Sequence, residues 1–167
     1  PPPARDPRLD RLALGVVAAA LLFHVLYAGA LALSPQEAYY WQWSRHLDLS
    51  YFDHPPLASW TIAVTTALLG ESERAIRAAA ALHSAIFSVF LWLTGRRLFG
   101  SRAALAALAA AAAVPLFSLG QVIITPDGPL LSGWAMALYF TVRALDDDEP
   151  RWLVAAGAAA GWAVLGK

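Results

Sequence analysis

Residues 12–33 read LALGVVAAALLFHVLYAGALAL, an apolar run with no formally charged side chain. A run of about 20 apolar residues matches the hydrocarbon thickness of a bilayer when helical. In lipid every backbone N–H and C=O must be paired internally, so only helices and closed barrels can span. The run does not alternate apolar and polar residues, which excludes a barrel strand. The remaining choice is a membrane helix, or a core helix in a chain with enough polar surface to cover it. Composition decides here. The chain is 59% hydrophobic and 14% charged, against about 45–50% and about 25% for soluble domains. A secretory signal is the other reading of an early apolar run, but this run is too long and no clean cleavage site follows it.

Further spans are expected at about 76–95, 103–120, 128–144 and 152–167. Pro115 marks a kink or an end in the third. The fold expected is therefore all-α and polytopic, with four complete spans and a fifth partly present. Residues 1–11 form an amino-terminal tail before it. The chain opens without Met and closes on an apolar run, as expected of part of a longer protein.

Orientation follows from arginine placement. Arg5, Arg8, Arg11, Arg96, Arg97, Arg102, Arg143 and Arg151 fall on one side of these spans; Arg45, Arg74 and Arg77 fall on the other. The first side is expected to be cytoplasmic, with the amino terminus there. The segments 34–75 and 121–128 then face outward. The acidic run Asp146–Glu149 falls on the cytoplasmic side and reads as a solvated turn. Equal numbers of acidic and basic residues leave no overall basic field for a nucleic-acid partner. The absence of cysteine removes disulfides, thiol catalysis and thiolate metal sites.

The outward loop 34–75 is long for a connector, and long loops are often functional. Ser34-Pro35 opens a short helix through about Glu37–His46, with Ser34 as cap and Pro35 in the first turn. A second short helix is expected over 56–69. Tyr39, Tyr40, Trp41, Trp43, Tyr51, Phe52 and Trp60 crowd the loop. Such rings anchor at headgroup level or stack on sugars. Three carboxylates, Glu37, Asp53 and Asp127, lie outward and close to span ends, where a charge is costly and often functional. Each also has a local structural reading. Glu37 complements a helix dipole, Asp53 precedes Pro55-Pro56 as a cap, and Asp127-Gly128 is a turn pair. His24 and His83 fall inside spans and read as histidines satisfied by a neighbouring helix.

The segments EAYYW, FDHPP and TPDGPL, at residues 37–41, 52–56 and 125–130, together resemble the amino-terminal part of bacterial dolichyl-phosphate-mannose–protein mannosyltransferase-like enzymes. They also resemble the related lipid A aminoarabinose transferases. The resemblance implies a GT-C-like amino-terminal half in the bacterial inner membrane. It implies inverting transfer of a sugar from a polyprenyl-phosphate carrier to an acceptor hydroxyl on a lipid, glycan or protein at the outer face. The family often has an acidic pair in the first outer loop, its first member Asp; here the pair reads Gln36-Glu37. By that resemblance the base is Glu37 or Asp127. Asp53-His54 matches an acidic–basic pair near a metal or the carrier phosphate, with His54 in place of a lysine. Arg45 and His54 are candidate phosphate donors, and Tyr40 and Trp41 candidate contacts to substrate. A divalent metal is possible through Asp53, His54 and Glu37, although their spacing matches no compact motif. A transporter would place ionisable groups at mid-membrane depth, whereas every Asp, Glu and Arg here falls at or beyond a span end. The alternative is a non-catalytic scaffold subunit of a larger membrane complex, favoured by the small-residue third and fifth spans and by Gln36.

Overall fold

The computed structural model describes residues 5–30, 32–114 and 122–167. Among these every regular element is helical and no strand occurs. The helices are α1 (Pro7–Tyr27), α2 (Pro35–Ser44), α3 (Leu57–Leu69), α4 (Glu73–Phe99), α5 (Ser101–Ala113), α6 (Asp127–Asp147) and α7 (Pro150–Gly166). Among the described residues α1 and α4 are long and apolar enough to cross a membrane. α3 and α5 are shorter apolar helices, and α6 and α7 run for 21 and 17 residues. Pro115 and the end of the expected third span, 115–120, lie outside the described residues, as do Leu31 and 1–4 of the tail.

The helix starts follow local capping chemistry. α1 begins at Pro7, five residues before the apolar run, because the Asp6 side chain accepts from Arg8 N at 2.9 Å and Pro7 occupies the first turn. α2 has a capping box: Ser34 Oγ accepts from Glu37 N at 3.2 Å, and Glu37 Oε2 accepts from Ser34 N at 2.9 Å. Ser72 caps α4 through Ala75 N. α3 starts after Pro56 without a side-chain cap, so Asp53 does not cap it. α4 and α5 form a tight hairpin through Gly100, whose φ of 87° is a left-handed conformation that glycine adopts without steric cost.

α4 is central, touching α1, α3, α5 and α6, while α7 packs along α6. One core gathers Tyr40, Ala58, Ile62, Ile76, Ala79, Ala80 and Ile124 at one end. A second gathers Ala13, Trp92, Ala104 and Leu108 at the other. α1 buries only Ala13 and leaves Leu12, Leu14, Val16, Leu22, Phe23 and Leu26 exposed, an apolar face suited to lipid. His83 is fully buried, with Nδ1 3.0 Å from Ser132 Oγ and Nε2 3.3 Å from Thr61 Oγ1; Trp162 Nε1 also donates to Ser132 Oγ at 3.1 Å. Neighbouring helices thus satisfy His83. His24 is half-buried, with the Phe23 ring edge-on at 5.7 Å.

Ion pairs sort the two ends of the bundle. Asp10 near the start of α1 accepts from Arg96 at 3.2 Å and from Ser101 Oγ at 2.7 Å. Arg97 pairs with Asp146 and Asp147, and Arg143 pairs with Asp147 and lies over the Trp152 ring at 4.1 Å. The acidic run is therefore more than a solvated turn: two of its members pair with Arg97 of α4 and Arg143 of α6. The start of α1, the α4–α5 hairpin and the α6–α7 turn share this end.

The α6–α7 contact is tight. A Cβ placed on Gly133 would lie 2.5 Å from Ala163 N, and one on Gly166 2.7 Å from Leu130 N. These are backbone atoms that cannot give way. Gly133→Val is expected to part the helices at an overpacking cost of about 1–3 kcal/mol or more, read as a lowered Tm in detergent. Gly157→Ala, where nothing lies within 4 Å of the new methyl, is expected to leave Tm unchanged or higher.

Candidate active site

The loop 34–75, with α2 and α3 in it, is organised by rings. Tyr51 stacks on Trp43 with centroids 4.5 Å apart, and its hydroxyl donates toward the Trp43 and His46 carbonyls at 3.1 Å. Trp60 Nε1 donates to Asp48 O at 2.9 Å. Tyr39 and Trp43 centroids are 4.3 Å apart, and the His54 ring meets Tyr40 edge-on at 5.8 Å. These contacts fold residues 45–56 back over α2.

The carboxylates then part company. Glu37 turns inward and is 0% exposed. Its Oε1 accepts from Arg77 Nε at 2.8 Å, and its Oε2 accepts from Arg77 Nη2 at 2.9 Å. Arg77, also buried, donates Nη1 to Ala28 O at 2.7 Å and Nη2 to Ala32 O at 2.9 Å. Burial alone would raise the Glu37 carboxyl. The hydrogen bonds from Arg77 and the Ser34 amide outweigh that and hold it below its ordinary value. Both oxygens are thus engaged in a bidentate, charge-assisted pair.

Asp53 and Asp127 are placed differently. Asp53 is exposed and accepts from the Tyr39 hydroxyl at 3.1 Å. Burial raises the Tyr39 hydroxyl, and the Asp53 hydrogen bond and charge raise it further. Asp127 opens α6 and pairs with Lys167 Nζ at 2.7 Å, each side chain about half exposed. Tyr40 joins the two acids electrostatically. Burial raises its hydroxyl and the hydrogen bond from Gln36 Nε2, at 2.8 Å, opposes this; the charges of Asp127 and Asp53 add to the rise, and that of Lys167 offsets it. Gln36, Tyr40, Asp53, Asp127 and Lys167 therefore form one neighbourhood.

Other expected site residues sit differently. Arg45 pairs with Glu71. Tyr40 is only 1% exposed and belongs to the core, with Trp41 packed partly buried against it. They form the floor of the neighbourhood, and Tyr39 is its exposed ring. Among the described residues no group of three His, Asp or Glu is placed to hold a metal ion; with Glu37 turned to Arg77, Asp53 and His54 remain as candidate ligands. An open groove of about 370 Å³, lined by Leu47, Asp48, Leu49 and Trp60, lies at the loop tip. Sequence reasoning missed Arg77 and Lys167. Arg77 had a signal: an arginine at a span end calls for a carboxylate partner.

Comparison with known proteins agrees with this helical membrane architecture. The chain is 33% identical over 106 residues to the lipid A galacturonosyltransferase RgtD of Rhizobium johnstonii; the alignment covers 64% of this chain and 17% of that protein. No solved structure matches. Residues 53–167 match the family described as dolichyl-phosphate-mannose-protein mannosyltransferase, from Asp53 and His54 through Asp127 to Lys167. With that match running over most of its length, the chain belongs to the dolichyl-phosphate-mannose-protein mannosyltransferase family.

Proposed function

We propose that this chain is the amino-terminal part of a membrane glycosyltransferase that moves a sugar from a polyprenyl-phosphate carrier to an acceptor hydroxyl at the outer face. Family membership supports membrane glycosyl transfer in general. The observation that carries the finer reading is the gathering of Asp53, Asp127 and Lys167 about Tyr40, at the end opposite the arginine-rich one. We place that end outside, with the amino terminus in the cytoplasm of a bacterial inner-membrane protein. α1, α4, α5 and α6 then belong to the first four spans, and α7 to the fifth.

The reaction is one displacement. The acceptor oxygen attacks C1 of the sugar from the face opposite the phosphate, inverting the anomeric configuration. Asp127 takes the proton, since a positioned carboxylate contributes about 10²–10⁴-fold. His54 faces the carrier phosphate, and Asp53, fixed by Tyr39, would hold a divalent ion beside it, which would offset the phosphate charge. Glu37 holds α2 in place through Arg77. The likeness to a lipid A galacturonosyltransferase favours a lipid acceptor, such as lipid A, and a uronic acid as the sugar.

The test uses the full-length protein in proteoliposomes, with a panel of polyprenyl-phosphate sugars and lipid A. The expected result is transfer with inversion, read by mass spectrometry and NMR. Transfer from nucleotide sugars but from none of the polyprenyl donors overturns the donor assignment. No transfer from either, with co-purification in a larger complex, favours the scaffold reading to which Gln36 lends weight.

A further inference from the structure

Lys167 is set in place by packing. Gly166 brings the last turn of α7 against the first turn of α6, where a Cβ would stand 2.7 Å from Leu130 N and 2.8 Å from Pro129 Cβ. That close approach carries Lys167 Nζ to 2.7 Å from Asp127 Oδ1. The side chains are 51% and 55% exposed, and ion pairs this open to solvent are weak and exchange partners readily. Arg45, the nearby cation expected from sequence to meet phosphate, is instead paired with Glu71.

We propose that Lys167 receives the leaving phosphate, passing from Asp127 to the phosphate as the sugar departs. This rests on the polyprenyl-phosphate reading above. The charge balance of the step carries it. The donor is a phosphodiester with one negative charge. The acceptor O–C1 bond forms and the C1–O(phosphate) bond breaks, its electron pair staying on the phosphate oxygen. The acceptor proton goes to the Asp127 carboxylate. One negative charge therefore leaves Asp127 and one appears on the phosphate. A cation already on Asp127 loses its first partner as its second becomes doubly charged. Its pull on the phosphate grows along the reaction, so it lowers the barrier more than it tightens donor binding. A lysine suits this, being a compact charge on a flexible stem, where arginine's planar fork favours one fixed bidentate geometry.

The test uses the reconstituted full-length protein and undecaprenyl phosphate as a product inhibitor. Lys167→Met is expected to lower kcat about 10²-fold, to leave donor KM within about threefold, and to weaken inhibition by undecaprenyl phosphate at least about tenfold. Lys167→Arg keeps the charge but not the compact, mobile head, and is expected to recover inhibition by undecaprenyl phosphate more fully than kcat. A fall in kcat with inhibition unchanged marks a merely structural lysine and overturns the proposal, as does unaltered kcat. Lys167→Gln gives the same two readouts should the methionine variant fail to assemble. A wild-type protein that neither uses polyprenyl-phosphate sugars nor is inhibited by undecaprenyl phosphate overturns the underlying functional reading as well, and that failure is visible before any variant is made.

Discussion

Glu37→Gln is expected to cost the fold about 3–5 kcal/mol, the usual penalty for stranding one member of a buried ion pair. Arg77 stays charged and buried, and the new amide turns its own N–H groups toward either Arg77 Nε or Nη2, both of which now donate to Glu37. For a chain of this size the loss corresponds to roughly 6–20 °C in Tm. Glu37→Leu combined with Arg77→Met is expected to recover much of it, because an apolar pair needs no compensating charge. The wild type also has a pH signature. The folded Glu37 carboxyl lies below its ordinary 4.5, so its contribution is complete above that value and is lost as pH falls through the lower folded one. Glu37→Gln removes this acid-dependent part of the Tm profile. Were Glu37 also the base, the glutamine variant would lose transfer even at temperatures where it is still folded. Thermal melts from pH 3 to 7 beside transfer assays separate the two.

Asp127→Asn is expected to do the opposite. The side chain is 55% exposed, so Tm changes little, while kcat falls by about 10²–10⁴-fold. Asparagine keeps the size and a hydrogen-bonding oxygen but cannot take a proton at neutral pH. Asp53→Asn gives up the charge that Tyr39 now faces and reports on binding through KM. Full activity in Asp127→Asn would move the base elsewhere. Gln36→Asp then becomes informative. Position 36 is the one the resemblance marks as acidic, and its side chain already reaches the Tyr40 hydroxyl at 2.8 Å.

What could be read from the sequence was local, and what could not was distant. Ser34-Pro35 announced α2 because a cap, a first-turn proline and Glu37 at the third position all act within one turn. The 57–69 helix followed from composition and length. Helix starts moved where a cap outcompeted the apolar run, as Asp6-Pro7 did for α1. The resemblance offers Glu37 as a candidate base; its pairing with Arg77, forty residues away, is not legible because nothing near position 37 announces it. The core position of Tyr40 and Trp41, candidate substrate contacts by resemblance, is not visible in the sequence because an aromatic belt and an aromatic core look the same in one dimension. Lys167 escaped notice because its meeting with Asp127 depends on the α6–α7 register, and that register depends on which of several small residues face each other.

The Arg77 hub has a consequence for how the protein is made. Its Nη1 and Nη2 hold the carbonyls of Ala28 and Ala32, 49 and 45 residues earlier in the chain. At ribosomal speeds of about 5–20 residues per second, that interval is roughly 2–10 s. During it, those carbonyls wait at the end of α1, and α2 has its capping box without the arginine that Glu37 pairs with. The amino-terminal hairpin is thus completed retroactively, by the arrival of α4. A pause or a chaperone contact in that window would act on assembly at the point where one side chain later ties α4 to two earlier segments.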